Sequence, residues 1–185
     1  MTAKAPPAPV LRRARTGDVR EIRRLVDLYS DDRILLSKAT VTLYEDVQEF
    51  WVAELDGTVV GCGALHVMWE DLAEVRTLAV DPAVRGRGIG HALLSRLLDV
   101  AVEVGVERVF CLTFEVDFFR AHGFSVLDGT PVDATVFEQL LRSYDEGVAE
   151  FLDLERVKPN TLGNTRMLLH LAQRRTMGSW TSSPP

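Results

Sequence analysis

The chain has 185 residues, of which 46% are hydrophobic and 26% are charged, a globular composition that can bury one sizeable core. Its net charge of −6 is the wrong sign for a general nucleic-acid or anionic-membrane binder. Two cysteines in apolar runs and four scattered histidines predict neither a disulfide framework nor a metal site. No run approaches the ~18 apolar residues of a membrane span, and residues 1–9 lack the apolar core of a signal peptide, so we expect a cytoplasmic protein.

Periodicity, turn pairs and capping residues predict one mixed α/β domain over residues 10–171, between a flexible arm at 1–9 and a flexible tail at 172–185. The Asp56-Gly57 pair predicts a hairpin within an antiparallel series, and one crossover helix leads to the strand after it. The predicted strands cover 10–15, 49–55, 58–69, 73–80, 108–114, 124–129 and 165–171. The predicted helices begin near Asp18 and then cover about 40–47, 90–104, 116–122 and 133–144, with Gly123 as a C-cap and irregular sequence from 145 to Gly163.

The loop before the helix at 90–104 reads RGRGIG, from Arg85 to Gly90. Glycines before a helix N-terminus let backbone amides close around a phosphate, and arginines add positive charge at every physiological pH. The loop therefore predicts a pyrophosphate site, with a plain turn and solvated arginines as the alternative. Its spacing differs from G-x-G-x-x-G of dinucleotide-binding folds, and the lysine-serine pair of a P-loop is missing.

The pattern Arg85-x-x-Gly88-x-Gly90 resembles the Q/R-x-x-G-x-G/A loop of the GCN5-related N-acetyltransferases (GNAT), and FFRAHGF at 118–124 resembles a later motif of that family. The resemblance covers roughly residues 10–171. It implies the α/β GNAT fold, a mixed and mostly antiparallel central sheet with helices on both faces, and acetyl-CoA as co-substrate without a metal. In that family the strand before the loop bulges, and its free backbone groups pair with the pantetheine arm. The implied cofactor-binding residues are Leu78, Ala79, Val80, Arg85, Gly86, Arg87, Gly88, Ile89, Gly90 and His91.

Acetyl transfer to an amine needs a base for the ammonium proton and stabilisation of the oxyanion and thiolate. Glu74 is the candidate base, on a strand that resembles the one carrying the family's glutamate; strand alternation predicts that Arg76 and Leu78 share its face. The alternative is a surface glutamate paired with Arg76. Thr113 is expected to place a hydroxyl beside the thioester, unless it has no chemical role. Phe119 stands where many relatives have a proton-donating tyrosine, so the general acid is unassigned.

Several segments, among them CLTFEVDFFRAHGF, resemble the acetyltransferase domain of bacterial N-acetylglutamate synthases, where that tyrosine is also replaced by an aromatic residue without a hydroxyl. The resemblance implies an amino-acid N-acetyltransferase that acts on the α-amine of glutamate or glutamine, the first step of arginine biosynthesis. A basic residue after ILL holds the substrate carboxylate in those domains, and Lys38 matches it. Their arginine near the last strand is Gly163 here, which keeps glutamine as a rival to glutamate. The implied substrate-binding residues are Leu36, Lys38, Arg76, Thr77, Asn164 and Thr165.

Other interpretations stay open from the sequence. The enzyme could acetylate another amine, such as a protein lysine, a protein N-terminus or an antibiotic, or the protein could be a non-catalytic acyl-CoA sensor. Lys38 could be a solvated loop lysine. We expect no nucleic-acid or membrane partner and no amino-acid-kinase-like domain, which many such synthases carry. A longer segment at about 128–162 is expected either to cover the substrate site or to form the contact of a homodimer.

Overall fold

The structure, a computed structural model, describes residues 8–30, 39–155 and 163–172. Its strands are β1 Val10–Arg13, β2 Phe50–Leu55, β3 Thr58–Trp69, β4 Leu72–Val80, β5 Arg108–Thr113, β6 Ser125–Val126 and β7 Thr165–His170. Its helices are α1 Val19–Ser30, α2 Thr40–Glu45, α3 Ile89–Val104, α4 Val116–Arg120, α5 Ala134–Leu140 and α6 Glu146–Phe151. Short 3-10 turns lie at Thr16–Asp18, Val47–Glu49 and Pro82–Val84.

The seven strands form one sheet in the order β1-β2-β3-β4-β5-β7-β6. The pairs β1–β2, β2–β3, β5–β7 and β6–β7 are antiparallel, whereas β4 and β5 are parallel. A parallel pair needs a crossover connection, and α3 lies in that connection. The predicted mixed, mostly antiparallel sheet with one crossover helix is therefore confirmed.

Contacts along the chain divide it into two compact units. The glycine-loop unit comprises residues 1–66 and 75–100, and the C-terminal unit comprises 67–74 and 101–185, each over its described part. Because β3 and β4 each run through a unit boundary, the chain passes from one unit to the other within a strand.

Helices flank both faces of the sheet in the glycine-loop unit. Buried apolar side chains of α1 cluster with Cys62 and Ala64 of β3. Strand alternation places Gly61 and Gly63 on the opposite face. There a Cβ at Gly63 would lie 2.9 Å from Leu97 of α3, so the absence of a side chain lets that helix pack closely. The predicted helices on both faces are confirmed.

The C-terminal unit has its own apolar core between β5, β7 and the two helices α5 and α6. Phe110 and Phe151 meet edge to face at its centre, with ring centroids 5.4 Å apart. Asp133 and Asp145 cap α5 and α6, since their carboxylates accept from the backbone N–H groups of Val136 and Val148. Both cysteines of the chain, Cys62 in one unit and Cys111 in the other, are buried free thiols.

The element predictions fail mainly after residue 123. The strand predicted at 124–129 shortens to Ser125–Val126, and the helix predicted at 133–144 ends at Leu140. Helix α6 was not predicted, because six residues with a glycine at the second position carry too little periodicity for a helix prediction. At the Asp56-Gly57 hairpin the two residues have φ of 48° and 80°, as the predicted turn requires. None of the helices in the described ranges has the length and apolar character to cross a membrane.

Candidate functional site

Strand β4 contains one left-handed residue, Thr77. This residue has φ 58°, a left-handed conformation that is rare for a β-branched side chain and typical of a strained or bulged strand. The paired register of β4 with β5 runs from Leu72–Arg108 to Glu74–Phe110, so the predicted pantetheine-binding residues 78–80 lie beyond it. The irregularity lies on the strand where the family resemblance implied one.

The left-handed residue changes which side chains of β4 face the same way. Arg76 reaches Glu49, which also bonds to His66, on the α1 face of β3. The Leu78 side chain instead lies on the α3 face, where a Cβ at Gly63 would approach its Cδ1 to 2.9 Å. The prediction that Arg76 and Leu78 share a face is therefore wrong, because simple alternation does not survive the left-handed residue between them.

Arg76 is held by two carboxylates of its own unit. Its Nη2 donates to Glu49 Oε2 at 3.0 Å and lies 3.5 Å from Asp46 Oδ2, while Glu49 Oε1 is 2.7 Å from His66 Nδ1. Burial alone would raise the pKa of Glu49, but the hydrogen bond to His66 and the charge of Arg76 outweigh it, and the pKa is lowered. Arg76 is thus paired with Glu49 and Asp46.

The glycine loop leaves open space in front of α3. Gly86 and Gly88 have φ of 78° and 73°, and a Cβ built on either would meet nothing within 4 Å. Ile89 is buried and anchors the start of the helix, and the N–H of Ala92 donates to the Gly88 carbonyl at 2.9 Å. Exposed backbone before a 16-residue helix can receive an anion at the positive end of the helix dipole. This loop fits the predicted pyrophosphate.

Side chains around the loop add positive charge and fix its entry. Arg85, Arg87 and His91 are exposed, and the Arg85 guanidinium lies 5.9 Å from the ring centroid of Tyr29. At the start of the loop Asp81 accepts from the Ala83 N–H and forms a 2.8 Å ion pair with Arg24. These contacts restrict the backbone at the start of the loop and help to hold the loop in a conformation that can receive an anion.

Glu74 is buried in the C-terminal unit, with 6% of its surface exposed. Helix α6 lies directly against its carboxylate, since a Cβ at Gly147 would approach Glu74 Cδ to 2.8 Å. Burial, and secondarily the negative charge of Glu74, raise the pKa of the Cys111 thiol well above its ordinary value. Glu74 is therefore not a surface glutamate, and the segment at 128–155 helps to cover it.

Thr113 and Thr165 are brought together by the sheet. They are directly opposite each other in the β5–β7 register, and Asn164 precedes Thr165 at the same end of β7. The Thr113 hydroxyl accepts from the N–H of Glu115 at 2.9 Å, a local bond that fixes its orientation at the start of α4. Two of the predicted polar residues are thus neighbours in this unit.

Gly163 shows why an arginine is not accommodated before β7. Its φ is 94°, in the region that favours glycine, and a Cβ there would lie 3.2 Å from Phe114 Cε1. Phe119 is buried and packs edge to face on Phe124, with centroids 5.2 Å apart, so it serves the core and offers no proton. Leu36 and Lys38 lie outside the described residues.

Sequence reasoning missed Glu150, a buried carboxylate on α6 with 4% of its surface exposed. Burial, followed by the nearby charge of Glu146, raises its pKa to about 7, and Arg166 only partly opposes this. Arg166 donates through Nη2 to the carbonyl oxygens of Gly129 and Phe151. The sequence signal for a buried carboxylate was one acidic residue within the apolar run VAEFL at 148–152. This run lies in the stretch where no helix was predicted. Within the described ranges, no three His, Cys, Asp or Glu side chains lie close enough together to hold a metal ion.

A strand with a left-handed residue, followed by a glycine loop and a long helix in a mixed sheet, is typical of the acetyltransferases that hold coenzyme A by its pyrophosphate. The family model of the acetyltransferase (GNAT) family matches residues 19–124, and the chain belongs to that family. The predicted family, fold class and enzyme class are confirmed.

A relative and a solved structure, both from Mycobacterium tuberculosis, are similar to this chain over most of its length. An amino-acid acetyltransferase is 64% identical over 166 residues, which cover 88% of this chain and 95% of the relative. A crystal structure of a protein in complex with CoA and NLQ is 64% identical, covers 88% of this chain and 99% of that one, and superposes with a TM-score of 0.85.

An N-acetylglutamate synthase of Neisseria gonorrhoeae, complexed with coenzyme A and N-acetyl-glutamate, superposes with a TM-score of 0.72 at 24% identity. The match covers 91% of this chain and 36% of that one, so it shows a common fold with one part of a longer protein.

Proposed function

We propose that the protein is an acetyl-CoA-dependent amino-acid N-acetyltransferase that acetylates the α-amine of glutamate or glutamine. The proposal is carried by the amino-acid acetyltransferase of Mycobacterium tuberculosis, with which the chain shares 64% identity over 88% of its length. The N-acetylglutamate synthase with the same fold supports the substrate class and a place at the start of arginine biosynthesis. The single domain at 10–171, the flexible ends, the cytoplasmic location and the homodimer contact stay predictions.

The glycine-loop unit would hold the co-substrate. When bound, acetyl-CoA supplies the thioester carbonyl that the amine attacks. The backbone N–H groups from Gly86 to Gly90 and the charges of Arg85 and Arg87 suit the pyrophosphate, with His91 in the first turn of α3. The backbone of residues 78–80 suits the pantetheine arm.

Glu74 would remove the proton from the substrate ammonium. An α-ammonium has a pKa of about 8, so at neutral pH a carboxylate has to take up a proton before the nitrogen can attack. The carboxylate can do so through an ordered water, which is a common arrangement for a base of low pKa. Its burial beneath α6 reduces competition from bulk solvent and strengthens its electrostatic effect.

Several polar groups are candidates for orienting the amino acid. The Thr113 hydroxyl and the opposed Thr165, with Asn164 beside it, suit the thioester and the side-chain end of the substrate. The backbone of Thr77 and the charge of Arg76 are candidate contacts, and Leu36 stays a candidate from the sequence. Because Glu49 and Asp46 already balance Arg76, Lys38 is the stronger candidate for the substrate α-carboxylate.

A screen of the twenty amino acids with acetyl-CoA, following release of the free CoA thiol, tests the proposal. Glutamate or glutamine should be the preferred acceptor. The decarboxylated amine 4-aminobutyrate should be inert, because it lacks the carboxylate next to an α-amine. Efficient acetylation of that amine, or turnover only with protein lysines, would return the protein to the general acetyltransferases.

Lys38→Met tests the carboxylate contact. Loss of one charge-assisted hydrogen bond costs about 1.5–3 kcal/mol, so kcat/KM for the amino acid should fall roughly ten- to a hundred-fold. The KM for acetyl-CoA should not change, and Lys4→Met, in the predicted flexible arm, serves as the matched control. If Lys38→Met performs like the wild type, another group holds the carboxylate.

A further inference from the structure

A Cβ at Gly147 fits only if the end of the Glu74 side chain moves. A Cβ at this position would lie 2.8 Å from the carboxylate carbon of Glu74, nearer still to its Oε2, and 3.0 Å from Asp145 Oδ1. Real Cβ atoms essentially never approach a heavy atom to less than 3.0 Å, and a packed interior leaves little room for adjustment. The backbone of α6 therefore contacts the Glu74 side chain directly.

The glycine is not there for its backbone freedom. Gly147 is absent from the residues with positive φ, and it occupies the second position of α6 in a helical conformation that alanine adopts readily. In a helix a glycine is less favourable than alanine. Helix propensity thus disfavours this residue, and the space next to Glu74 is what distinguishes it.

Helix α6 is fixed by contacts on both sides of Gly147. On one side the Asp145 carboxylate accepts from the Val148 N–H at 3.1 Å and caps the helix. On the other side Val148, Phe151 and Leu152 are buried in the apolar core of the C-terminal unit. A helix held in this way cannot retreat from Glu74 without losing core packing.

We propose that Gly147 is a positioning residue for the base Glu74, and that the segment carrying α6 serves the active site by setting the place of this carboxylate. The inference rests on the proposed function, in which Glu74 accepts the ammonium proton. It assigns a role to residues 128–155, the described part of the longer segment: they cover the base.

Gly147→Ala is the primary test. The new Cβ should displace the carboxylate, and a misplacement of about 1 Å can cost roughly a hundred-fold in rate. We expect kcat to fall about 10- to 100-fold, an unchanged KM for acetyl-CoA, and a melting temperature equal to or above that of the wild type, because alanine favours the helix. Gly17→Ala is the matched control, since a Cβ at Gly17 meets nothing within 4 Å.

A rescue experiment separates positioning from a general structural effect. Glu74→Asp shortens the side chain by one methylene, which makes room for a Cβ at position 147. The double variant Gly147→Ala/Glu74→Asp should therefore be no slower than Glu74→Asp alone. Multiplicative losses in the double variant, or a wild-type kcat in Gly147→Ala, would overturn the inference.

Two further outcomes are decisive. If Gly147→Ala does not fold, the double variant should fold, and its failure would show that the obstruction is not Glu74. If Glu74→Gln retains the wild-type rate, the base role and the positioning role fall together, whereas a slow Glu74→Gln with a normal Gly147→Ala removes the positioning role alone.

Discussion

The two units of the molecule differ in the chemical groups that they offer. The glycine-loop unit offers backbone: exposed amides at Gly86 and Gly88, before a long helix, with open space around them. The C-terminal unit offers side chains, Glu74 and Glu150, each with less than a tenth of its surface exposed. A site built from backbone groups is formed by consecutive residues, so the local sequence can reveal it. A buried carboxylate depends on elements from elsewhere in the chain that cover it.

The contrast has kinetic consequences. Changes in the glycine loop should act on the binding of acetyl-CoA, and changes at Glu74 should act on the rate of the chemical step. Changes at Glu150 should act on the free energy of unfolding. The variants Glu74→Gln, Gly88→Val and Glu150→Gln each test one of these three effects.

Glu74→Gln should give the largest effect. The amide keeps the shape of the side chain but cannot accept the ammonium proton, so kcat should fall roughly 10²–10⁴-fold. The KM for acetyl-CoA should hardly change, and a higher pH should restore part of the rate, because more substrate then arrives as the free amine. Steady-state kinetics from pH 7 to 9.5 measure this, with the exposed Glu70→Gln as control. A wild-type rate at pH 7 would remove Glu74 as the base.

Gly88→Val should act on binding. A Cβ at this position meets nothing within 4 Å, so the valine would extend into the open space where the pyrophosphate is expected, although φ 73° is a conformation that a valine adopts only with strain. Loss of a phosphate contact worth about 1.5–3 kcal/mol should raise the KM for acetyl-CoA roughly ten- to a hundred-fold. Gly57→Val is the matched control, since Gly57 has φ 80° and the same open surroundings. Equal KM values in the two variants would contradict the phosphate site.

Glu150→Gln should act on stability alone. The pKa of Glu150 in the fold is about 7, above the ordinary 4.5, so the folded state binds this proton more tightly than the unfolded chain. The stability that this group contributes is complete below pH 4.5 and is lost as the pH rises through 7. Above that pH the variant should be more stable than the wild type by ~1–3 kcal/mol.

Urea unfolding at pH 4.5 and pH 8 measures the difference, which should be small at the lower pH and present at the higher one. Glu138→Gln, an exposed acid on α5, is the control. A difference that is the same at both pH values would show that Glu150 ionises as an ordinary glutamate.

The same contrast explains what the sequence allowed us to predict. The hairpin at Asp56-Gly57, the glycine loop and the helix after it were predicted because local rules on turns, caps and periodicity determine them. Glu74 was identified through a family resemblance. Helix α6, which covers it, was not predicted, because α6 is too short to show a periodic pattern. Glu150 stayed unnoticed for the same reason.

Arg76 illustrates a failure of a different kind. The prediction that Arg76 and Leu78 share a face assumed regular strand alternation. A threonine at position 77 gives no sequence signal for φ 58°. β-branched residues disfavour that conformation, so the surrounding sheet must impose it. Its pairing with Glu49 spans 27 residues of sequence and arises only from the folded arrangement.

The burial of both cysteines also affects how the enzyme behaves towards its own product. Desolvation raises the pKa of the Cys62 thiol to about 12. Desolvation is also the main cause that raises the pKa of the Cys111 thiol well above its ordinary value. Disulfide exchange needs a thiolate, so at neutral pH neither residue should react with an oxidised coenzyme A or with an aromatic disulfide reagent. An enzyme that releases a thiol in every turnover is thereby protected from self-modification, and a thiol-reactive dye added to the native protein should record only the coenzyme that it frees.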